Sequence, residues 1–150
     1  LKKLLLLVAL IFVVLAGGFF IYLKSAPPLT TGDIEIGENH DSVVIELGNK
    51  GFRDLKVDSV QINNHAVPKD AKIQVGKSLK DFAAAVDEDP EAGEDAELKE
   101  IDEVSIPKGT NPGESSTKYS LKVSHDEDIH NVHIRYRYFG ILFSETVVLN

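Results

Sequence analysis

The sequence predicts an all-β domain, an antiparallel sandwich of about seven strands, behind one membrane-spanning helix. Three observations predict it. Twenty consecutive residues, Leu4 to Leu23, carry no charge. Beyond them, seven or so short stretches alternate apolar and polar residues between Gly-, Pro- and Asn-containing turns, the pattern of strands. Outside the first segment only "SLKDFAAAVDED", Ser78 to Asp89, reads as helix.

A helix rises about 1.5 Å per residue, so the first segment matches a hydrocarbon core of about 30 Å. A soluble core helix would carry a polar face, and this segment has none. A secretory signal shares the basic start, but its apolar run is about 7–15 residues long and ends at a small-residue cleavage site. A cut before Gly17 would leave "GGFFIYLK" as an apolar terminus in water. A cut after Ala26 would meet Pro27-Pro28, which block processing. With no cysteine in the chain, a lipid-modified lipoprotein start is excluded. We therefore expect residues 1–24 to be a retained signal-anchor that partners the membrane through residues 4–23. Gly17-Gly18 is tolerable in a bilayer, and Tyr22 suits an interface. Lys2, Lys3 and the amino terminus outweigh Lys24, which Asp33, Glu35 and Glu38 follow. The domain is expected outside the cytoplasm of a bacterial-type cell, or secreted if the segment is cleaved. Absence of cysteine fits folding in an oxidising space. Leu1 before Lys2-Lys3 reads as a leucine-type start codon taken literally, or as a chain shortened at its start.

Residues 25–150 suffice for one domain. The 16 basic residues, less Lys2, Lys3 and Lys24, stand there against 24 acids, a net charge of −11. That argues against a nucleic-acid partner and against adhesion of the domain to anionic lipid. The acidity is local: residues 87–103, "DEDPEAGEDAELKEIDE", hold ten acids and one lysine.

In chain order, residues 25–32 with Pro27-Pro28 read as a stiff linker lifting the domain off the membrane. Asp33 to Ile36 is a short first strand. In "SVVIELGNKGF", Val43, Ile45 and Leu47 point one way and Val44 and Glu46 the other; Asn49-Lys50-Gly51 supplies residues tolerant of positive φ for a turn. "LKVDSVQIN" changes parity midway. Either a bulge at Asp58-Ser59 puts Leu55, Val57, Val60 and Ile62 on one face, or the strand buries different faces at its two ends. Asn63-Asn64 closes it, and Lys72 to Val75 is another short strand. The helix follows, with Ser78 as N-cap, Asp81 at its third position, and Leu79, Phe82 and Val86 as its apolar stripe; Pro90 and Gly93 end it. After the turn "GTNPGESS", Tyr119, Leu121 and Val123 face inward and Ser120 and Lys122 outward. Finally, two strands meet at Phe139-Gly140. Val132, Ile134, Tyr136 and Tyr138 share one face of the first, and His133, Arg135 and Arg137 the other. Ile141 to Leu149 is apolar on both faces.

With "VVIELGNKGFRDLKVDSVQIN", "YSLKV" and "NVHIRYRYFG" in that order, the chain resembles bacterial extracytoplasmic immunoglobulin-like domains of the cell-adhesion-related type. The resemblance covers residues 33–150, with an insert at 77–103, and includes the Asn-x-Gly strand end at Asn49-Lys50-Gly51. It implies an immunoglobulin-like sandwich acting as a binding or spacer module, with Tyr136 as a tyrosine-corner candidate. The Cys…Trp…Cys core of antibody domains is absent.

Two groups could bind something. Asp87, Asp89, Glu91, Glu94 and Asp95 could hold a divalent cation, since calcium takes six to eight oxygens. Against this, the calcium-loop pattern fails at Ala92 and Leu98, and crowded carboxylates with Pro and Gly also describe a solvated loop. Arg135 and Arg137, flanked by His133, could form a docking edge for an acidic group, the chain's own 87–103 loop included; they also suit the solvent face of an amphipathic strand. His125, Asp126, Asp128, His130 and His133 offer imidazole with carboxylate, a transition-metal donor set, or a polar loop entering a strand. No nucleophile elbow, phosphate loop, dinucleotide glycine pattern or zinc-protease helix occurs. The expected function is therefore non-enzymatic: an interaction or structural module at the envelope, with an unknown envelope protein as partner and no cofactor. The alternative is a divalent-cation or small-ligand sensor built on the acidic insert.

Overall fold

The structure, a computed structural model, describes residues 1–76, 97–113 and 116–149. It consists of an N-terminal helix, α1 (Lys2–Ser25), and two antiparallel sheets. The strands are β1 (Leu29–Ile36), β2 (Ser42–Asn49), β3 (Leu55–Ile62), β4 (Asp70–Gly76), β5 (Glu97–Glu100), β6 (Ser105–Ile106), β7 (Lys118–Ser124), β8 (Asn131–Tyr138) and β9 (Ile141–Val148). One sheet has the order β1-β2-β7-β4-β5 and the other β6-β3-β8-β9. A single hydrophobic cluster draws on both, so they bury their facing sides against each other. Val43, Ile45, Leu47, Ile73, Leu121 and Val123 come from the first sheet; Leu55, Val57, Ile62, Val132, Ile134 and Tyr136 lie among those of the second. Each such side chain contributes about 1.5–3 kcal/mol by leaving water.

The alternation in β8 is realised: Val132, Ile134, Tyr136 and Tyr138 are buried, and Arg135 and Arg137 are exposed. In β3 the pairing with β8 shifts between Val57 and Ser59, which leaves Asp58 as the extra residue of a bulge. Leu55, Val57, Val60 and Ile62 are consequently all buried, and the bulge reading of the parity change holds.

The expected boundaries change in three places. β1 begins at Leu29 rather than Asp33, because residues 29–31 pair with Gly48, Asn49 and Leu47 of β2; half of the expected linker is sheet. Residues 97–106, expected to be acidic loop and approach to a turn, supply β5 on the edge of β4 and β6 on the edge of β3, linked by a short 3-10 turn at Ile101–Glu103. Nine strands rather than about seven are therefore formed among the described residues. Ser120, expected to face solvent, is only 1% exposed. The helix expected at Ser78 to Asp89 lies outside the described residues.

The helix is long and apolar enough to cross a membrane, a property it shares with signal sequences. Large apolar side chains from Leu4 to Leu15 are 50–72% exposed. Its last turn differs: Leu23 is 2% exposed and belongs to the same core as the sheets.

Candidate functional site

Antiparallel strands send their turns to two ends of the domain. The end nearest α1 gathers the β2–β3 turn, the loop after β6 and the β8–β9 turn. Asn49 holds the first two together. Its side-chain nitrogen donates to the carbonyls of Arg53 (2.7 Å) and Ile106 (3.0 Å), and its side-chain oxygen accepts from the Gly51 amide at 2.9 Å. Its own amide donates to Thr110 O (3.1 Å), and its carbonyl accepts from Gly109 N (3.0 Å). In a fully buried amide with both donors and its oxygen engaged, hydrogen bonds offset the cost of desolvation. The Asn-x-Gly tripeptide thus builds a turn by side-chain hydrogen bonding, not by positive φ, which none of its three residues adopts. Gly51 is needed for space: a Cβ there would stand 2.7 Å from the Tyr138 hydroxyl and 2.8 Å from Pro28.

This clamp presents Phe52 and Arg53 outward. Phe52 is 52% exposed, and its amide donates to the Tyr138 hydroxyl at 3.1 Å. Its ring lies 5.1 Å from that of Phe139, and the Arg53 guanidinium stands 5.2 Å over the Phe139 ring. Phe139 and Gly140 form a two-residue hairpin turn with φ of 53° and 69°. Such turns favour Asn-Gly because both central residues take positive φ; a phenylalanine in the first position is strained by about 1 kcal/mol. Phe52, Arg53, Asp54, Lys108 and Phe139 line an open cleft of about 420 Å³.

The helix completes this end. The Phe19 ring meets Phe139 edge-on at 5.6 Å. Lys24 donates to the Leu142 carbonyl and lies 4.2 Å over the Phe143 ring. The Lys50 amide donates to Pro28 O at 2.9 Å, which ties the proline segment to the β2–β3 turn. Lys24, Lys50, Arg53 and Lys108, all exposed, are accompanied there by Asp54, whose carboxylate accepts from the Lys108 amide at 3.3 Å. The opposite end carries Glu38, Asp41, Asp70, Asp126, Glu127 and Asp128 against Lys69. Among the described residues the two ends differ in charge, although Gly76 and Glu97, which bound the acidic residues 77–96, also stand at the α1-proximal end.

The residues expected to bind sit elsewhere. His133, Arg135 and Arg137 lie on the outer face of β8. His133 is engaged on both ring nitrogens, with Thr146 Oγ1 at 3.0 Å and Asn63 O at 2.8 Å, and stacks on His65 at 4.8 Å. Arg137 pairs with Asp58, the bulge residue, at 3.3 Å. Arg135 stands exposed between Ser59 and Ser144 of the neighbouring strands. The described part of the acidic run, 97–103, does not reach these arginines: β5 lies on the edge of the other sheet. Asp87, Asp89, Glu91, Glu94 and Asp95 lie outside the described residues. His125, Glu127, Asp128 and His130 rim an open cleft of about 620 Å³ at the acidic end. Among the described residues, no group of three His, Asp or Glu is arranged to hold a metal ion. Asp126 is instead held below the usual carboxylate range by its hydrogen bond and ion pair with Lys69 at 2.7 Å.

Tyr136 does not make a tyrosine corner: its hydroxyl, buried near the Leu29 backbone, completes no hydrogen bond. Burial pushes its phenol up to about 12; the Leu29 backbone opposes the rise and the Glu145 carboxylate adds to it. No protein-family model, curated protein or solved structure matches the chain.

Proposed function

We propose that the chain is a single-pass membrane protein whose helix is retained and whose immunoglobulin-like sandwich lies outside the cytoplasm as a non-enzymatic interaction or structural module. The observation carrying this reading is the union of α1 with the sheets. A cut after Ala26 would strip Leu23 out of the core and take Phe19 from Phe139. A cut after Ala16 would leave Phe19, Phe20, Ile21 and Tyr22, each 45–69% exposed, on a protein in water. Only retention keeps the core whole and the exposed apolar surface in lipid.

Strand order supports the immunoglobulin-like part. If β1, β2, β3, β4, β7, β8 and β9 are lettered A to G, the sheets run A-B-E-D and C-F-G, the arrangement of constant-type immunoglobulin domains. β5 and β6 are then additions between D and E, one on each sheet. A domain of this kind offers faces and loop ends to partners, and the exposed Arg135 on the outer face of β8 is one such feature.

Retention and orientation are tested together. The chain has no cysteine, so one introduced at Thr146, exposed on β9, is a unique label site. The expected result is an uncleaved mass, resistance to alkaline extraction from membranes, and labelling of intact cells by a membrane-impermeant maleimide. A shortened, soluble product would refute retention; label acceptance only after lysis would refute the orientation.

A further inference from the structure

Resting on the retained helix of the preceding reading, we infer that the α1-proximal end of the domain is a second membrane contact: Phe52 and Phe139 enter the interfacial layer, and Lys50, Arg53 and Lys108 bind phospholipid phosphates.

Four observations converge on it. The first is depth. Lys24 is the first charge after the apolar run and marks its outer boundary; Phe19, five residues earlier, lies about 7 Å further into the hydrocarbon along the helix. Because the Phe139 ring packs on Phe19, the β8–β9 turn cannot stand clear of the bilayer that holds α1. The second is side-chain type. Aromatic rings beside basic groups are what the layer between acyl chain and headgroup accommodates. Here Phe52 is half exposed and Arg53 lies over Phe139, so the guanidinium can meet phosphate while the rings face the chains. The third is backbone strain. A turn that favours asparagine carries phenylalanine at φ 53°, partly buried on the rim of the core where its ring meets Phe19 as well as Phe52 and Tyr138. The fourth is charge. The chain is acidic overall, yet among the described residues Lys24, Lys50, Arg53 and Lys108 gather here around Asp54, with Glu97 on the β5 edge at the same end. The 420 Å³ cleft between Arg53 and Lys108 is open and has room for a phosphate group. The phosphodiester of a zwitterionic phospholipid such as phosphatidylcholine suffices; no net anionic lipid is required, which agrees with the acidity of the rest of the domain.

The chain contains no tryptophan, so Phe52→Trp and Phe139→Trp each give a single reporter. Each full-length variant is reconstituted in phosphatidylcholine vesicles brominated either high or low on the acyl chain. Asn39→Trp, at the opposite end of the strands, serves as the control. The expected result is co-flotation of all three, with emission from the two reporters quenched more by the shallow bromines and the control unquenched. Arg53→Glu with Lys108→Glu should cut quenching of the Phe52→Trp reporter by roughly half, as should Phe139→Asn, which keeps the residue such turns prefer. Failure to float would remove the anchor and this contact with it. Flotation without quenching would overturn this contact alone and leave the anchor standing. Blue-shifted but unquenched emission would place protein, not lipid, over the rings and equally overturn it. Undiminished quenching in the double charge variant would overturn the phosphate contacts.

Discussion

The side-chain amide of Asn49 donates to the carbonyl of Ile106 across 57 residues of sequence, at 3.0 Å in a fully buried setting. With its bonds to Arg53 and Gly51 it fastens the β2–β3 turn to β6. Asn49→Ala strands the buried Ile106 carbonyl, at about 1–3 kcal/mol, and deprives the part-buried Arg53 carbonyl and Gly51 amide of their partner at a smaller cost each. We expect a loss of about 3 kcal/mol in urea unfolding of the full chain in detergent. A loss below about 1 kcal/mol would mean that water repairs the clamp.

Glu46 and Lys118 form an ion pair at 3.5 Å with side chains 6% and 13% exposed. Removing one member leaves the other charge buried and alone. Lys118→Met should cost about 3 kcal/mol, and Glu46→Gln with Lys118→Met should recover most of it. A double variant no better than the single one would show that the charges are not coupled.

Tyr136→Phe removes a hydroxyl that completes no hydrogen bond, so stability near neutral pH should be unchanged or slightly higher. Its raised pKa sets a second expectation. The folded state holds the phenolic proton more tightly than the unfolded state. The stability this contributes is therefore complete below the ordinary value of 10.0 and is lost as pH rises toward about 12. Alkaline unfolding should be shallower over that window in Tyr136→Phe than in the parent. Parallel curves would assign the alkaline loss to other groups.

Deleting Asp58 removes the bulge and forces β3 into unbroken alternation. Leu55, Val57, Val60 and Ile62 then fall on one face by simple alternation, and the pairing of β3 with β8 runs on in its present register. What is lost is the local bend and the exposed Asp58–Arg137 pair, the latter worth about 0–1 kcal/mol. A cooperative thermal transition close to that of the parent is the expected result; loss of that transition would mean that the extra twist of the bulge is itself needed to seat β3 on the core.

Where burial follows alternation, the structure was legible in the residues. The inward faces of β2, β7 and β8 can be read directly, whereas the parity change at Asp58 admits either a bulge or a switch of buried face, and only the pairing with β8 decides for the bulge. β5 was not legible: Glu97-Leu98-Lys99-Glu100 is an exposed edge strand, and its backbone pairing with β4 leaves no apolar mark. The start of β1 escaped for a similar reason, since Thr30-Thr31-Gly32 shows no alternation. The α1-proximal site stayed hidden because Phe52, Lys108 and Phe139 are brought together only by strand pairing. The one local signal was phenylalanine before glycine in a hairpin, where asparagine is the easier choice.

Pro28 is buried between the helix and the β2–β3 turn, and Leu29 directly after it is already paired with Asn49. Only Ala26 and Pro27 separate the end of α1 from this buried pair. Inserting a single residue ahead of Phe19 would rotate the preceding helix by about 100° relative to everything beyond it. In the proposed retained-anchor arrangement, the compass heading of Arg135 is set by whatever grips the rod inside the lipid.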